Sequence, residues 1–296
     1  MKVLVTGSNG FIGRYICDAL TAAGHYVCGI GSSAAGRTGL AAYYSADISS
    51  QSMTEQAADE LGQVDAVVHC AAHISYDDTD SRLMAVNVVG TQNIVSLAKR
   101  CGARKLVYCS SIPVIGVPAI LPVAEDHPLS PTTMYHVSKL AGEYIMAASG
   151  IPNAILRIPA PVGLGMNRSS ILPVLIRQCL ENKPIQLYGT GSRVQNYLSV
   201  QDIARAARIC AESDAEGCFH LAGDSLSNIA LAQRCIALTH SSSEITFSGD
   251  PDPADRYVWE ISGERAAQVL GFVPQTRIDE TIMLLANSME SGRKTG

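Results

Sequence analysis

The chain has 296 residues, 47% of them hydrophobic and 17% charged, with a formal net charge of −5. That length buries an ample core for one large domain with or without a smaller lobe, and the mild negative charge leaves no electrostatic footprint for nucleic acid. No apolar run approaches a membrane span and no basic-then-apolar leader opens the chain. The nine cysteines are scattered without a CxxC pair, so a globular protein of a reducing cytoplasm is expected.

Lys2–Thr6 is a short apolar, β-branched run of the kind that forms a buried parallel strand. Gly7-Ser8-Asn9-Gly10-Phe11-Ile12-Gly13 follows at once, and Phe11, Ile12, Tyr15, Ile16, Ala19 and Leu20 then recur at helical spacing. Strand, glycine turn and helix N-terminus together form the arrangement that holds a dinucleotide pyrophosphate, because unpaired amides and the helix dipole face the anion. Three glycines after a strand also serve plain tight packing. The second strand, Tyr26–Ile30, ends at Gly31, where NAD-preferring folds usually carry an acid for the ribose diol. With Ser32, Ser33 and Arg37 there instead, a 2′-phosphate meets no repulsion and NADP is favoured over NAD. A flexible loop with a solvated arginine is the alternative.

A third strand, Ala42–Asp47, carries Asp47 and then Ile48 to the edge where adenine would sit, although a turn or helix-cap aspartate fits equally. Met53–Leu61 reads as a helix and Asp65–Ala72 as a buried strand. His69 and His73 are too far apart along a strand, about 13 Å, to share a metal, so no metal site is expected. Arg82–Cys101 contains one long helix with Asn87 among apolar neighbours, which suggests a buried, tethered amide. Lys105–Ser111 is a strand ending in two hydroxyls, Tyr135–Ala148 a helix, and Asn153–Ile158 a sixth strand. This alternation specifies an α/β, doubly wound parallel sheet over residues 1–160. Past Pro159 the rhythm loosens into helices at 171–182, 202–213 and 227–239, and segments 265–270 and 279–289 close the chain. Short strands are expected at 184–188, 196–200, 218–222 and 244–247. Residues 161–296 are expected to build mainly a smaller substrate lobe, with some segments returning to the sheet and the last five or six residues disordered.

Tyr135 and Lys139 stand at i and i+4 on one helical face. A phenol near pKa 10 becomes a useful proton carrier only if its anion is stabilised. Bringing it to neutrality takes about 4 kcal/mol, which an adjacent ammonium and an oxidised nicotinamide together supply. A surface Tyr–Lys pair is the bland alternative. Ser110 and Ser111 end a strand, and ligands of open α/β sheets bind at such ends.

Together these residues resemble the extended branch of the short-chain dehydrogenase/reductase superfamily, the NAD-dependent epimerase/dehydratase group. The matching pieces are Thr6–Gly13 (TGxxGFIG), His69–Ala72 (HxAA), Asn87 with Gly90-Thr91 (NxxGT), Tyr108–Gly116 (an SSxxVxG-like strand end), Tyr135–Lys139 and Leu156-Arg157. Gly189–Ser192 and Val200–Ala204 extend the match through the second lobe. The resemblance implies Tyr135 as acid/base, Lys139 on the nicotinamide ribose, and Ser111, beside Ser110, orienting the reacting oxygen. It places the dinucleotide along Gly7, Asn9–Gly13, Ser32, Ser33, Arg37, Asp47, Ile48, Ala71, Ala72, Asn87 and Pro159. The implied substrate is a nucleotide sugar, changed by epimerisation or reduction through a 4-keto species, with Arg168, Arg193 and Arg256 as candidates for the diphosphate and a homodimer as the assembly.

Departures bear on this. Ile112-Pro113 replace the acidic pair of dehydratases, which argues against dehydration. Ala160 stands where epimerases have Asn, Gln195 where an Arg is usual, and Asp252-Pro253-Ala254-Asp255 where Arg-Pro-Gly-Asp is usual. A reductase of a non-nucleotide ketone or aldehyde is the alternative enzyme. A non-catalytic NADP sensor is the alternative of another class, opposed by the presence of both Tyr135 and Lys139.

Overall fold

The structure is a computed structural model describing residues 1–294. Its frame is a seven-stranded sheet in which every neighbouring pair is parallel. In chain order the first part runs β1 (Lys2–Thr6), α1 (Phe11–Ala22), β2 (Tyr26–Gly31), β3 (Ala42–Ser45), α2 (Gln51–Leu61) and β4 (Ala66–His69). It continues with α3 (Arg82–Met84), a π-helical stretch Ala85–Val89, α4 (Gly90–Arg100), β5 (Lys105–Ser111), a 3₁₀ turn Ile112–Ile115, α5 (Met134–Ala147) and β6 (Asn153–Ile158). The rest comprises β7 (Ala160–Val162), α6 (Ile171–Leu180), β8 (Ile185–Leu187), β9 (Val194–Ser199), α7 (Val200–Glu212) and β10 (Gly217–His220). β11 (Asp224–Ser227), α8 (Asn228–Leu238), β12 (Ile245–Phe247), α9 (Glu264–Leu270) and α10 (Ile278–Lys294) complete it.

Strand order β10-β6-β5-β4-β1-β2-β3 reverses between β1 and β4. The crevice outside their carboxyl ends is where such sheets bind ligands. Both faces of the sheet are covered, which is why β1, β4 and β5 read as unbroken apolar runs. One core packs Val3, Val5, Val68 and Val107 under α1 and α7, and the other packs Leu4, Val67 and Leu106 under α2, α4 and α5. A third core, with Leu175, Ile185, Leu231 and Ile282, holds α6, α8 and α10 together as the lobe. The sheet is not built from residues 1–160 alone: β10 pairs with β6, and α7 lies in the same core as α1.

Several elements differ from expectation for visible reasons. The helix expected over 82–101 is interrupted by the π-helical stretch that carries Asn87, a change of pitch that re-aims one side chain. The strand expected to reach Ala72 stops at His69, because the Thr6 hydroxyl accepts from the amides of Cys70 and Ala71 and turns the chain out. The strand expected to reach Asp47 stops at Ser45, since Asp47 folds its carboxylate onto the amide and hydroxyl of Ser49. β7 and β11, three and four residues long, escaped the pattern and join β9 in a separate three-stranded sheet. α10 runs to Lys294; the remainder of the disorder expected at the C-terminus, at 295 and 296, lies outside the described residues. Among the described residues no helix is long and apolar enough to cross a membrane.

Candidate active site

The glycine turn is shaped by what a side chain would strike. Gly7 has φ +67°, and a Cβ there would stand 2.9 Å from the backbone of Ala71 at the end of β4. A Cβ on Gly13 would overlap the Gly7 carbonyl oxygen, so only glycine lets α1 start this close to the turn. Gly10 caps α1 with no side-chain bond, which leaves the first-turn amides without a side-chain acceptor. A bare backbone cradle at the positive end of a helix, over the β1/β4 switch point, fits a dinucleotide pyrophosphate.

Around it the expected residues divide. Asn9 ties down the following loop, donating to the Ala35 carbonyl at 2.9 Å and accepting from the Arg37 amide at 2.9 Å. Ser32 and Ser33 are exposed beyond β2. The Arg37 guanidinium, expected to be free for a 2′-phosphate, instead pairs with Asp18 at 2.7 Å and donates to the Arg14 carbonyl. Asp47 forms a turn, its carboxylate accepting from the amide and hydroxyl of Ser49. The Ile48 side chain is buried in the core and its carbonyl accepts from Asn93 at 2.8 Å.

Asn87 is 1% exposed and fully engaged. Its oxygen accepts from the His73 amide at 2.7 Å; its nitrogen donates to the His73 carbonyl and to Ser138 Oγ, both at 2.9 Å. Ser138 donates in turn to the Tyr135 carbonyl at 2.7 Å. Asn87 therefore clamps the loop after β4, which carries Ala71 and Ala72, to the first turn of α5. His69 lies between Thr6 Oγ1 at 2.6 Å and Thr91 Oγ1 at 3.0 Å, a structural bridge across β1, β4 and α4. Burial, and then the Lys139 ammonium, push its pKa down to about 3. Among the described residues no group of three or more His, Cys, Asp or Glu could hold a metal ion.

Thr133 caps α5, accepting from the His136 amide, and Met134 is pinned by Asp78, so the first turn that carries Tyr135 is fixed at both sides. Gly142 lets this helix lie on β5, since a Cβ there would collide with the Tyr108 hydroxyl. Lys139 is 3% exposed, and its Nζ sits 4.2 Å from the Tyr108 ring centroid. Burial raises the Tyr135 pKa, and Lys139 is the charge that opposes the rise. The isolated phenol is thus a proton donor whose anion has one designated stabiliser.

Ser111 and Tyr135 line one cavity of about 340 Å³, together with Ser110, Ile12, Ile112, Pro113, His136, Pro159, Ala160, Arg193, Gln195 and Asn196. Ile74, Tyr76, Trp259 and Ile261 complete it. Ser110 also lines that cavity, and its hydroxyl donates to Glu143 at 2.5 Å, while Glu143 forms a buried ion pair with Arg157 at 2.8 Å. Arg157 Nη1 then donates to His220 Nε2 at 3.2 Å, which leaves Nδ1 of the ring to donate to the Val123 carbonyl. Burial and the neighbouring guanidinium lower the His220 pKa to about 4, so the ring stays neutral.

Of the three arginines expected at a diphosphate, only Arg193 lines the cavity. With the Gln195 amide turned oxygen-inward, Arg193 Nη2 donates to it at 2.7 Å. Arg168 borders a different cavity, between Met166, Arg177 and Leu285, and Arg256 is exposed outside the lining. Asp255 binds the Thr190 amide at 2.6 Å and its hydroxyl at 2.9 Å, so it organises the Gly189–Ser192 loop from within. Sequence reasoning missed Trp259, Ile261, Ile74 and Tyr76 as walls; the chain's single tryptophan, in an irregular segment, was the one available signal.

A doubly wound sheet with a glycine cradle at its switch point defines a Rossmann-like α/β protein. The model of the NAD dependent epimerase/dehydratase family matches residues 3–220, and the chain belongs to that family, within the extended short-chain dehydrogenases/reductases. It is 28% identical to a putative UDP-glucose 4-epimerase of Methanocaldococcus jannaschii over 99% of this chain and 100% of the relative. It is 29% identical to the UDP-glucose 4-epimerase of Mycolicibacterium smegmatis over 95% of this chain and 96% of the relative. Among solved structures, UDP-glucose 4-epimerase from Thermotoga maritima, determined with UDP-glucose, superposes with a TM-score of 0.89. That alignment covers 99% of this chain and 100% of the other at 20% identity, so the fold is shared.

Proposed function

We propose that the protein is an NAD(P)-dependent enzyme acting on a secondary alcohol or 4-keto carbon of a nucleotide sugar, with an epimerase or ketoreductase outcome. The observation that carries this reading is a shared wall: Ser111 and Tyr135 line one cavity, with Lys139 one helical turn behind the tyrosine. Gly7, the amides of Gly10–Gly13, Ala71, Ala72 and Pro159 would hold the dinucleotide. When bound, that group supplies hydride acceptance and return at the substrate carbon. Tyr135 takes or gives the proton at its phenolic oxygen, and the Lys139 ammonium stabilises the phenolate. Ser111 Oγ donates to the same substrate oxygen, while Ile112, Trp259 and Ile261 keep water from the reacting carbon. Arg193 supplies the cation for a diphosphate.

NADP is the preferred form on this reading, since Gly31 offers no carboxylate and Ser32 and Ser33 are exposed; Arg37 would exchange its pair with Asp18 for the phosphate. A homodimer in the cytoplasm belongs to the same proposal, with exposed Val89 and Tyr144 on neighbouring helices as its apolar face. Proton NMR of UDP-glucose and UDP-galactose, each incubated with protein and NAD or NADP, tests the substrate class. Conversion of one sugar nucleotide supports it. A specific observation favours the second reading, reduction of a non-nucleotide ketone or aldehyde: Arg168 and Arg256 lie outside a cavity walled by Ile74, Pro113 and Trp259. Neither sugar nucleotide changing, with UDP unbound while the dinucleotide binds, selects that reading.

A further inference from the structure

Cys70 and Cys109 stand side by side, one step beyond the paired residues His69 and Tyr108 of β4 and β5. Their sulfurs are 3.3 Å apart. Neighbouring strands run about 4.8 Å apart, within the Cα separation a disulfide tolerates, and the bond itself needs sulfurs at about 2.05 Å. Closing that gap is a matter of side-chain rotation and a small backbone shift, because Cys70 has already left the ladder. Cys109 is buried, whereas Cys70, at the strand end, is half-buried as a residue, which makes it the thiol nearer to solvent. Cys70 donates its S–H to Cys109 and thereby holds that thiol below the usual range, and Lys139 pulls in the same direction.

The pair lies directly beneath the cradle. Cys70 precedes Ala71, whose backbone abuts Gly7, and Cys109 precedes Ser110 and Ser111. We propose that Cys70 and Cys109 form an oxidisable dithiol whose disulfide state weakens dinucleotide binding by drawing these two strand ends together. With hydrogen peroxide as oxidant, the sulfur of Cys70, the thiol nearer to solvent, attacks one peroxide oxygen, the O–O bond breaks, and one water leaves. The Cys109 sulfur then displaces hydroxide from the resulting sulfenic acid, forming the S–S bond and a second water. Each sulfur loses one electron, both peroxide oxygens are reduced, and the two thiol protons leave in water.

The test treats the full chain with hydrogen peroxide and reads two quantities. Non-reducing peptide mapping should find a Cys70–Cys109 linkage, absent after a reductant. NADH titrated by fluorescence should bind the oxidised protein at least tenfold more weakly than the re-reduced protein, and peroxide should leave the affinity of Cys109→Ala, or of Cys70→Ser if that variant fails to fold, unchanged. Both thiols remaining alkylatable, a sulfinic acid without linkage, or a linkage that leaves NADH affinity as it was would each overturn the proposal. The affinity arm rests on the dinucleotide reading; if the reduced protein binds neither NADH nor NADPH, that reading fails, while the mapping still decides the dithiol.

Discussion

The two walls of the candidate site are held by different means. The dinucleotide side is fixed by backbone: β1 pairs with both β2 and β4, and Gly7, Gly13 and Ala71 approach closely where no side chain intrudes. The lobe side is fixed largely by carboxylates that reach to remote amides. Asp202 accepts from Gln275 and Thr276, Asp224 from Ile278, and Asp255 from Thr190. A backbone wall tolerates few substitutions and keeps one shape, whereas a carboxylate-tied wall can be re-cut by moving a single anchor. That contrast fits a fold in which cofactor handling stays constant while the substrate changes.

The junction between the two walls should be the most sensitive place. Glu143→Gln leaves the Arg157 guanidinium buried beside His220 without its counter-charge, and loss of about 3–5 kcal/mol is expected in denaturant titration. A loss under 1 kcal/mol would mean that this pair does not brace Ser110. Next, Asp202→Ala frees the segment before α10 and removes the partner of Arg205. We expect about 3 kcal/mol and faster proteolysis near residue 275, with NADH affinity retained. Weakened NADH binding instead would show that the walls are not separable.

Gly13→Ala tests the backbone wall. Its methyl would overlap the Gly7 carbonyl, so about 1–3 kcal/mol of stability and most dinucleotide affinity should go together. Near neutrality the smallest effect is titration. His69 and His220 stay neutral in the fold, with pKa values lowered to about 3 and about 4, whereas the unfolded chain takes up those protons near 6.5. Stability from these rings is complete above about pH 6.5 and is lost as the pH falls toward 4. Denaturant midpoints at pH 7.5, 6 and 5 should decline in that order, less steeply in His220→Asn.

The backbone wall was also the part legible in the sequence. Lys2–Leu20 and Tyr135–Lys139 are contiguous, so a strand, a turn, a helix and an i, i+4 pair could be read locally. The partners that decide the finer roles lie far along the chain. Arg37 turned to Asp18, and Asn87 reached Ser138, across separations that no local pattern encodes. Trp259 and Ile261 became cavity walls only because the 123–127 loop and β9 bring their segment back, through bridges at Val123 and Val194. Three- and four-residue strands such as β7 and β11 are too short for periodicity to declare.

The central claim is that Tyr135 carries the proton in a cavity it shares with Ser111. The most direct measurement is turnover of Tyr135→Phe on a sugar nucleotide that the parent converts, beside its NADH affinity and unfolding curve. The account predicts unchanged folding, near-parental NADH affinity, and turnover lower by about 10²–10⁴. Near-parental turnover would contradict it and move the proton to another group on the cavity wall, His136 first.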